Sequence, residues 1–469
     1  MSSLFVYRAI QKWRRGKGIP PGLRRSLMGE NWREEFERKR VSPEEAVKVV
    51  KSGDKVSFTY GREPRALGLA LAARLGELRD VKIFVRTPGM DFGWYDPGWE
   101  VSFQIEISYV LPITREMMAE RRCDFVIGGL LGMTPRHPAV GEADVLLTEV
   151  SEPDGNGYCS FGASTWGKRK AVECAKKVIA EVNQNLIRTY GENYVHVSEI
   201  DYFVEHVSGG TRPGATDLLG RKTWEPGDVE KRIAQYVSTL IRDGDTLQIG
   251  VGSTSEWIAI LGALNNRADL GWHSETTPRG IIKLVREGLI TGKRKNINRG
   301  KAVAVAIGGG DQEDMDFVNQ NPMFELYDAD YVLNPAVIAA NDNILCVNSA
   351  ISVDLTGQIA AESVGSTLVS GPGGQLAFAI GSQLSKGGRF VTTLPSTAKG
   401  GAISRIIPQL EKGTIVTVPR TLADIVVTEY GITHLYGKTQ RERASELIKV
   451  AHPDFRAELQ KKANQLFWP

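Results

Sequence analysis

One carboxylate, Glu275, ends the run Leu270-Gly271-Trp272-His273-Ser274-Glu275, which reads as a short strand. Thr276-Thr277-Pro278-Arg279-Gly280 follows as a turn-rich segment, and Ile281 to Gly288 then has the apolar spacing of a short helix closed by a glycine. A carboxylate at a strand's carboxyl end, ahead of a loop and a helix, sits where open α/β sheets build their sites. The alternative is a solvated charge or a helix cap. Two glycine clusters bear on the choice. Thr246 to Ile249 reads as a strand entering Gly250-Val251-Gly252, with Ser253 or Thr254 capping a helix over Trp257 to Leu264. The N–H groups of such a turn point at whatever sits above the strand end. The third glycine of a dinucleotide fingerprint is missing. Ser370-Gly371-Pro372-Gly373-Gly374-Gln375 has more glycines than one turn needs. Lys386-Gly387-Gly388 and Lys399-Gly400-Gly401 suit phosphate contacts, with plain surface turns as the alternative.

The chain that must position these groups has 469 residues, too many for one ordinary core. Its 42% hydrophobic and 24% charged residues are those of a soluble globular protein, and a net charge of +3 makes no case for nucleic-acid binding. The four cysteines, Cys123, Cys159, Cys174 and Cys346, are scattered without a C-x-x-C pair. They are expected to be reduced, with no metal site and a cytoplasmic location. No apolar run is long enough to span a bilayer. Between Arg8 and Arg40 stand eight Arg and three Lys, with no acidic residue before Glu30. A transit segment, which would direct the chain to the mitochondrial matrix, is one reading. The favoured reading is a basic arm and helix over residues 1–40, packed through Leu4, Phe5, Val6, Ile10 and Trp13.

Helix-length and strand-length segments alternate, which predicts largely parallel sheets. Val41-Ser42-Pro43-Glu44-Glu45 opens a helix with Ser42 as N-cap, Pro43 at the first position and Glu45 closing a capping box. Next come a strand over Asp54 to Tyr60, Gly61, and a helix from Ala66 to Leu75. The same unit recurs 191 residues later, with Gly61 matched by Gly252. A second echo pairs Ala143 to Ser151 with Asn343 to Ser349, and Asp154 and Gly157 with Asp354 and Gly357. Two echoes in order predict two related open α/β domains, 41–215 and 216–469, joined between Arg212-Pro213-Gly214 and Pro226-Gly227, with the site at their interface. Other expected elements are strands at Val81 to Val85 and Phe125 to Gly129, a helix through Lys170 to Ala175, and a strand from Val178 to Asn183. The aromatic tract Gly89 to Gly98 either lines a pocket or packs on its own rings.

From Gly250 onward the motifs resemble the family I coenzyme A transferases, in the branch of acetyl-CoA hydrolase/transferase and 4-hydroxybutyrate CoA-transferase. The resemblance is carried by Ile249-Gly250-Val251-Gly252, Gly271-Trp272-His273-Ser274-Glu275, Asn334-Pro335-Ala336-Val337-Ile338, Val347 to Gln358, Ser370-Gly371-Pro372-Gly373-Gly374-Gln375, Ser396 to Gly401, Val427-Thr428-Glu429-Tyr430-Gly431 and Ala451-His452-Pro453-Asp454-Phe455. Ser151-Glu152-Pro153-Asp154-Gly155-Asn156-Gly157-Tyr158 extends it to the first half. It implies that Glu275 is a nucleophile passing through an acyl anhydride and a glutamyl-CoA thioester, with no metal and no resident cofactor. Coenzyme A would enter as the acyl-CoA substrate. By the same resemblance Val251 and Gly374 supply oxyanion-stabilising N–H groups, and Gly250, Gly252, Gly371 and Gly373 allow close approach of the substrate. Asn334 and Glu429 look like contacts to the CoA thioester and pantetheine, with an Asx turn and a structural pair as their alternatives. Lys386 and Lys399 would meet CoA phosphates.

A small carboxylate is the expected acceptor, and a homodimer or larger homo-oligomer the expected assembly. Where relatives commonly carry His-Thr-Glu-Met and then Asp-Gly, here stand His273-Ser274-Glu275-Thr276 and Arg279-Gly280. Arg279 is therefore expected to put a cation on the acyl side and favour a second carboxylate on the substrate. The competing functions are an acyl-CoA hydrolase using the same glutamate, a CoA-binding protein without turnover, and a nicotinamide-dependent dehydrogenase.

Overall fold

The computed structural model describes residues 31–128, 141, 143–206 and 225–468. The expected N-terminal arm around Leu4 to Trp13 and most of the expected join after Arg212 lie outside the described residues.

The first sheet has seven strands: β1 (Lys55–Phe58), β2 (Val81–Val85), β3 (Phe103–Ile107), β4 (Cys123–Phe125), β5 (Val145–Val150), β6 (Lys177–Val182) and β7 (Tyr202–Glu205). They lie in the order β7-β6-β5-β1-β2-β3-β4, every neighbour parallel. The second sheet contains β8 (Thr246–Ile249), β9 (Gly271–Thr277), β10 (Ala302–Ile307), β11 (Phe324–Leu326), β12 (Ile344–Ser349), β13 (Arg389–Thr393), β14 (Ile425–Thr428) and β15 (Gly431–His434). Its order is β15-β14-β13-β12-β8-β9-β10-β11, and the short strand Tyr190–Gly191 completes it beyond β11. Only β15 is antiparallel to its neighbour.

Setting aside β15 and Tyr190–Gly191, the two sheets have one topology: β14-β13-β12-β8-β9-β10-β11 repeats β7-β6-β5-β1-β2-β3-β4 strand for strand. The echoes seen in the sequence fall on β1 with β8 and on β5 with β12, the central pair of each sheet. These strands are buried on both faces, which is why β5 (VLLTEV) and β10 (AVAVAI) read as runs without alternation.

Several elements differ from expectation for local reasons. Ser42 Oγ accepts the Glu45 N–H at 3.2 Å, but the Glu45 side chain pairs with Lys48, so only half of a capping box forms. The helix expected over Trp257 to Leu264 is a 3₁₀ turn, Ser255–Trp257, followed by further turns. Gly262, at φ +78°, takes a left-handed conformation that no α-helix continues through. The strand expected from Phe125 ends there, and Ile127 is exposed. The aromatic tract packs on itself: Trp94 is fully buried, with its ring edge-on to Phe58 and Phe92. All four cysteines are free thiols.

The first half of the chain also builds part of the second sheet. Thr165 N–H donates to Val305 O at 3.0 Å and Ile307 N–H to Ala163 O at 2.7 Å, beside β10. Tyr190–Gly191 pairs with Glu325 and Leu326 of β11. Gly191 has φ +97°, and a Cβ there would lie 2.1 Å from Leu326 O. Gly191→Ala is therefore expected to lower unfolding stability by about 2 kcal/mol or more, read by denaturant titration.

Candidate active site

Glu275 lies near the carboxyl end of β9, which runs two residues further, to Thr277, than its sequence suggested. β8 runs beside it with Thr246 opposite Gly271 and Leu247 opposite Trp272, an offset of 25 that puts Gly250 level with Glu275. The turn Gly250-Val251-Gly252 thus starts next to the carboxylate. Its glycines are needed for space: a Cβ on Gly252 would lie 2.5 Å from Ser349 Cβ, and one on Gly250 3.1 Å from Asn348 Oδ1.

The second glycine loop arrives from the other side. Gly374 N–H donates to Glu275 Oε2 at 2.8 Å, while Oε1 accepts no hydrogen bond from the described residues. Gly374 begins the helix Gln375–Leu384. Gly371 and Gly373 seat the loop on the first half: a Cβ on Gly371 would lie 2.4 Å from Ser108 O, and one on Gly373 2.9 Å from the Tyr109 hydroxyl. Ser108 and Tyr109 follow β3, so the carboxyl ends of both sheets meet at this carboxylate, the place where open parallel sheets bind ligands. Burial pushes Glu275 up to about 7, against the opposing pull of the Gly374 N–H and the Arg86 cation.

His273 shares the strand face of Glu275. It is fully buried and its Nε2 donates to Val332 O at 2.8 Å. Burial, with Lys295 nearby, pushes it down to about 3, so it is a neutral positioning group and not a base. Trp272 is turned into the core, its indole N–H on Thr277 Oγ1 at 3.1 Å.

The remaining sequence candidates divide. Asn334 caps the helix Pro335–Ala339, its Oδ1 accepting the Ala336 N–H at 3.0 Å, which realises the Asx reading. It stays close to the site, because neighbouring Leu333 would meet a Cβ on Gly374 at 2.5 Å. Glu429 takes the Ser396 N–H at 2.9 Å and the Ser396 hydroxyl at 2.6 Å, so it is a buried structural pair that anchors the Ser396-to-Gly401 loop. Lys399 is exposed on that loop, past the carboxyl end of β13 and so on the same sheet edge as Glu275. Lys386 is not brought to the site. The ten-residue helix Gln375–Leu384 carries the chain back across the sheet, and Lys386 O receives the Asn343 N–H at 2.8 Å, at the amino ends of β12 and β13.

Arg279 is exposed and packs along Gly309. The cation whose field reaches Glu275 is Arg86, directly after β2 in the first half. Tyr60, after β1, and Tyr109, after β3, stand with it; the Arg86 guanidinium lies 5.3 Å from the Tyr60 ring centroid. Sequence reasoning missed this trio. The available signal was placement: each follows an apolar strand, as Glu275 nearly does.

Among the described residues one group could hold a metal: Glu149, Glu181 and His206, whose ligand atoms lie within 4.8 Å of one another. Their oxygens are already engaged. Arg62 Nε donates to Glu149 at 2.6 Å, Asn183 Nδ2 to Glu149 at 2.9 Å and Leu67 N–H to Glu181 at 3.1 Å. These carboxylates are thus already engaged in a hydrogen-bond network at the carboxyl ends of β5 and β6.

The chain matches known proteins along both halves. Residues 25–208 match the acetyl-CoA hydrolase/transferase N-terminal domain and residues 310–463 its C-terminal domain. Glu275 falls in the stretch between the two matches. The 4-hydroxybutyrate coenzyme A transferase of Clostridium kluyveri is 41% identical, covering 93% of this chain and 100% of that protein. Among solved structures, RipA from Yersinia pestis is similar with TM-score 0.86 and 31% identity, over 94% of this chain and 100% of that one. The 4-hydroxybutyrate CoA-transferase of Porphyromonas gingivalis is similar with TM-score 0.73 and 34% identity, over 93% of this chain and 100% of that one. On these matches, the chain belongs to the acetyl-CoA hydrolase/transferase family of coenzyme A transferases.

Proposed function

We propose that this protein moves coenzyme A between an acyl-CoA and a small carboxylate, with Glu275 as the covalent carrier. The observation that carries the reading is the state of that carboxylate: Oε2 is held by Gly374 N–H at 2.8 Å while Oε1 has no partner among the described residues, at the meeting edge of two parallel sheets. An oxygen free to attack, on a carboxyl group whose basicity burial has raised, is what nucleophilic catalysis by a carboxylate requires.

Glu275 Oε1 attacks the thioester carbonyl and the C–S bond breaks, giving an acyl-glutamyl anhydride and CoA thiolate. The thiolate then attacks the glutamyl carbonyl, expelling the first carboxylate and leaving a glutamyl-CoA thioester. An acceptor carboxylate attacks that thioester to form the second anhydride. Returning thiolate takes the new acyl group and frees Glu275. When the glutamyl carbon becomes tetrahedral, the oxygen facing Gly374 N–H carries the developing charge, and a donor already in place stabilises it without reorganisation. Val251 N–H, level with the carboxylate, is the proposed donor to the substrate oxyanion. Asn334 Nδ2, left over from its capping role, and Lys399 are the proposed CoA contacts. The two-domain division at residues 215 and 216, with a separate arm over residues 1–40, belongs to the same proposal.

Relatives named as CoA-transferases favour carboxylate over water as acceptor. Incubation with acetyl-CoA and butyrate, following butyryl-CoA and free thiol together, tests this. Transfer requires butyryl-CoA to form well ahead of thiol; thiol release unaffected by butyrate would show hydrolysis instead.

The pH dependence follows from Glu275. Only its ionised form attacks, and burial places its titration at about 7. kcat/KM for acyl-CoA should thus fall about tenfold per pH unit below 7 and level off above it. A profile flat from pH 5 to 8 contradicts the raised titration of Glu275.

A further inference from the structure

Arg86 is 2% exposed, yet it lacks the partners that a buried guanidinium demands. Its Nη2 donates to Gly128 O at 3.2 Å, and its Nε and Nη1 have no acceptor among the described residues. Those atoms carry one and two of the five guanidinium hydrogens, so most of the fork is unused. Among the described residues Arg86 forms no ion pair. Its surroundings belong to the site: the Tyr60 ring lies 5.3 Å away, Ser108 N–H donates to Arg86 O at 3.1 Å, and the adjoining Tyr109 packs on the Gly371-to-Gly374 loop that holds Glu275. An uncompensated buried cation is strongly unfavourable, and the planar fork fits a carboxylate.

We propose that Arg86 receives the distal carboxylate of a dicarboxylic substrate, so that this enzyme exchanges CoA onto and off diacids in preference to monoacids of the same length. The proposal rests on the CoA-transfer reading and narrows its substrate class. It also moves the charge-reading role expected of Arg279 to a residue that is buried and pointed at the site. In this arrangement one carboxylate of the diacid reacts at Glu275 while the other occupies the open donors of Arg86. A monoacid leaves them unpaired.

The same guanidinium also lowers the titration of Glu275, so a role confined to that residue is the rival reading. The test separates the two. With acetyl-CoA as donor, kcat/KM is measured for succinate and butyrate, acids of equal chain length, at pH 9, where Glu275 is ionised in every variant. Arg86→Met and Arg86→Lys are compared with the wild type. The succinate-to-butyrate ratio should exceed one in the wild type and fall by about 100-fold or more in Arg86→Met, as expected when one partner of a buried charge pair is removed. Arg86→Lys should fall between them. Free Arg86→Met should melt no lower than the wild type, and succinate should raise the melting temperature of the wild type alone.

A ratio that stays within about threefold while both acids slow together would overturn the proposal and assign Arg86 to Glu275 alone. A wild type that prefers butyrate, or that accepts neither acid while still taking CoA from acetyl-CoA onto Glu275, overturns it as well and leaves the CoA-transfer reading standing. Absence of CoA capture from acetyl-CoA and from every other acyl-CoA donor tried is the separate result that removes both.

Discussion

Glu275→Ala should lower CoA transfer by about 10⁴-fold or more, because it removes the proposed carrier of the covalent intermediates. The neighbouring acid–base candidate is excluded by its environment: His273 is buried, neutral and committed to Val332 O. A Glu275→Gln variant should lose the same activity and gain stability. The folded protein holds the Glu275 proton up to about pH 7, against an ordinary value of 4.5. Folded chains therefore bind more protons than unfolded ones between those limits, and wild-type stability declines as pH rises through that window. Below the window the carboxyl is protonated in both states and the penalty is absent. Above it the ionised, desolvated carboxylate costs up to about 3 kcal/mol, which a neutral amide escapes. Denaturant titrations should show Glu275→Gln more stable than wild type at pH 8 and nearly equal to it at pH 4.5. Equal stabilities at both pH values would mean that the carboxylate is not desolvated.

Gly374→Ala should reduce turnover by about 10²- to 10³-fold with little change in folding, the range seen when an oxyanion donor is lost. Gly374 sits at φ −94° and ψ 5°, a negative-φ conformation that is sparsely allowed but open to alanine. The damage is local instead: the new Cβ would lie 2.5 Å from Glu275 Oε2 and 2.5 Å from Leu333 Cδ2. To relieve that contact the carboxylate must leave the N–H that orients it. The loss should appear in kcat for every acyl-CoA, with a melting temperature within a few degrees of wild type. Turnover within threefold of wild type would mean that Gly374 does not position the nucleophile.

Much of the framework was legible in the sequence because it rests on local pattern. Runs such as Val81 to Val85 and Val145 to Val150 are mostly apolar without strict alternation, as expected of strands covered on both faces, and the glycine following each central strand exposes the repeat. The partners of Glu275 were harder to find. Gly374 was reached through its motif, but Arg86 and Tyr109 lie in the other half of the chain, and only the meeting of the two sheets brings them near. No spacing rule connects residues on separate sheets. The two Lys-Gly-Gly runs show the same limit. They look alike as sequence, yet one follows a helix that returns to the amino edge of the sheet and the other follows a strand that ends at the carboxyl edge. Asn334 and Glu429 were each open to a structural and a functional reading; in the structure their oxygens serve a helix cap and the Ser396 loop. Closeness in sequence to Glu275 suggests Arg279 as a site cation, but the strand ends at Thr277 and Arg279 is exposed.

The central claim is that coenzyme A becomes covalently attached to Glu275. Intact-mass measurement of the protein after incubation with acetyl-CoA, or another acyl-CoA donor, and no acceptor tests it directly. The wild type should gain the mass of one coenzyme A joined with loss of water, lose it on addition of an acceptor carboxylate, and localise it to the peptide bearing Glu275, while Glu275→Ala gains nothing. A wild type that turns over acyl-CoA without ever gaining that mass, or an adduct that persists in Glu275→Ala, would contradict it.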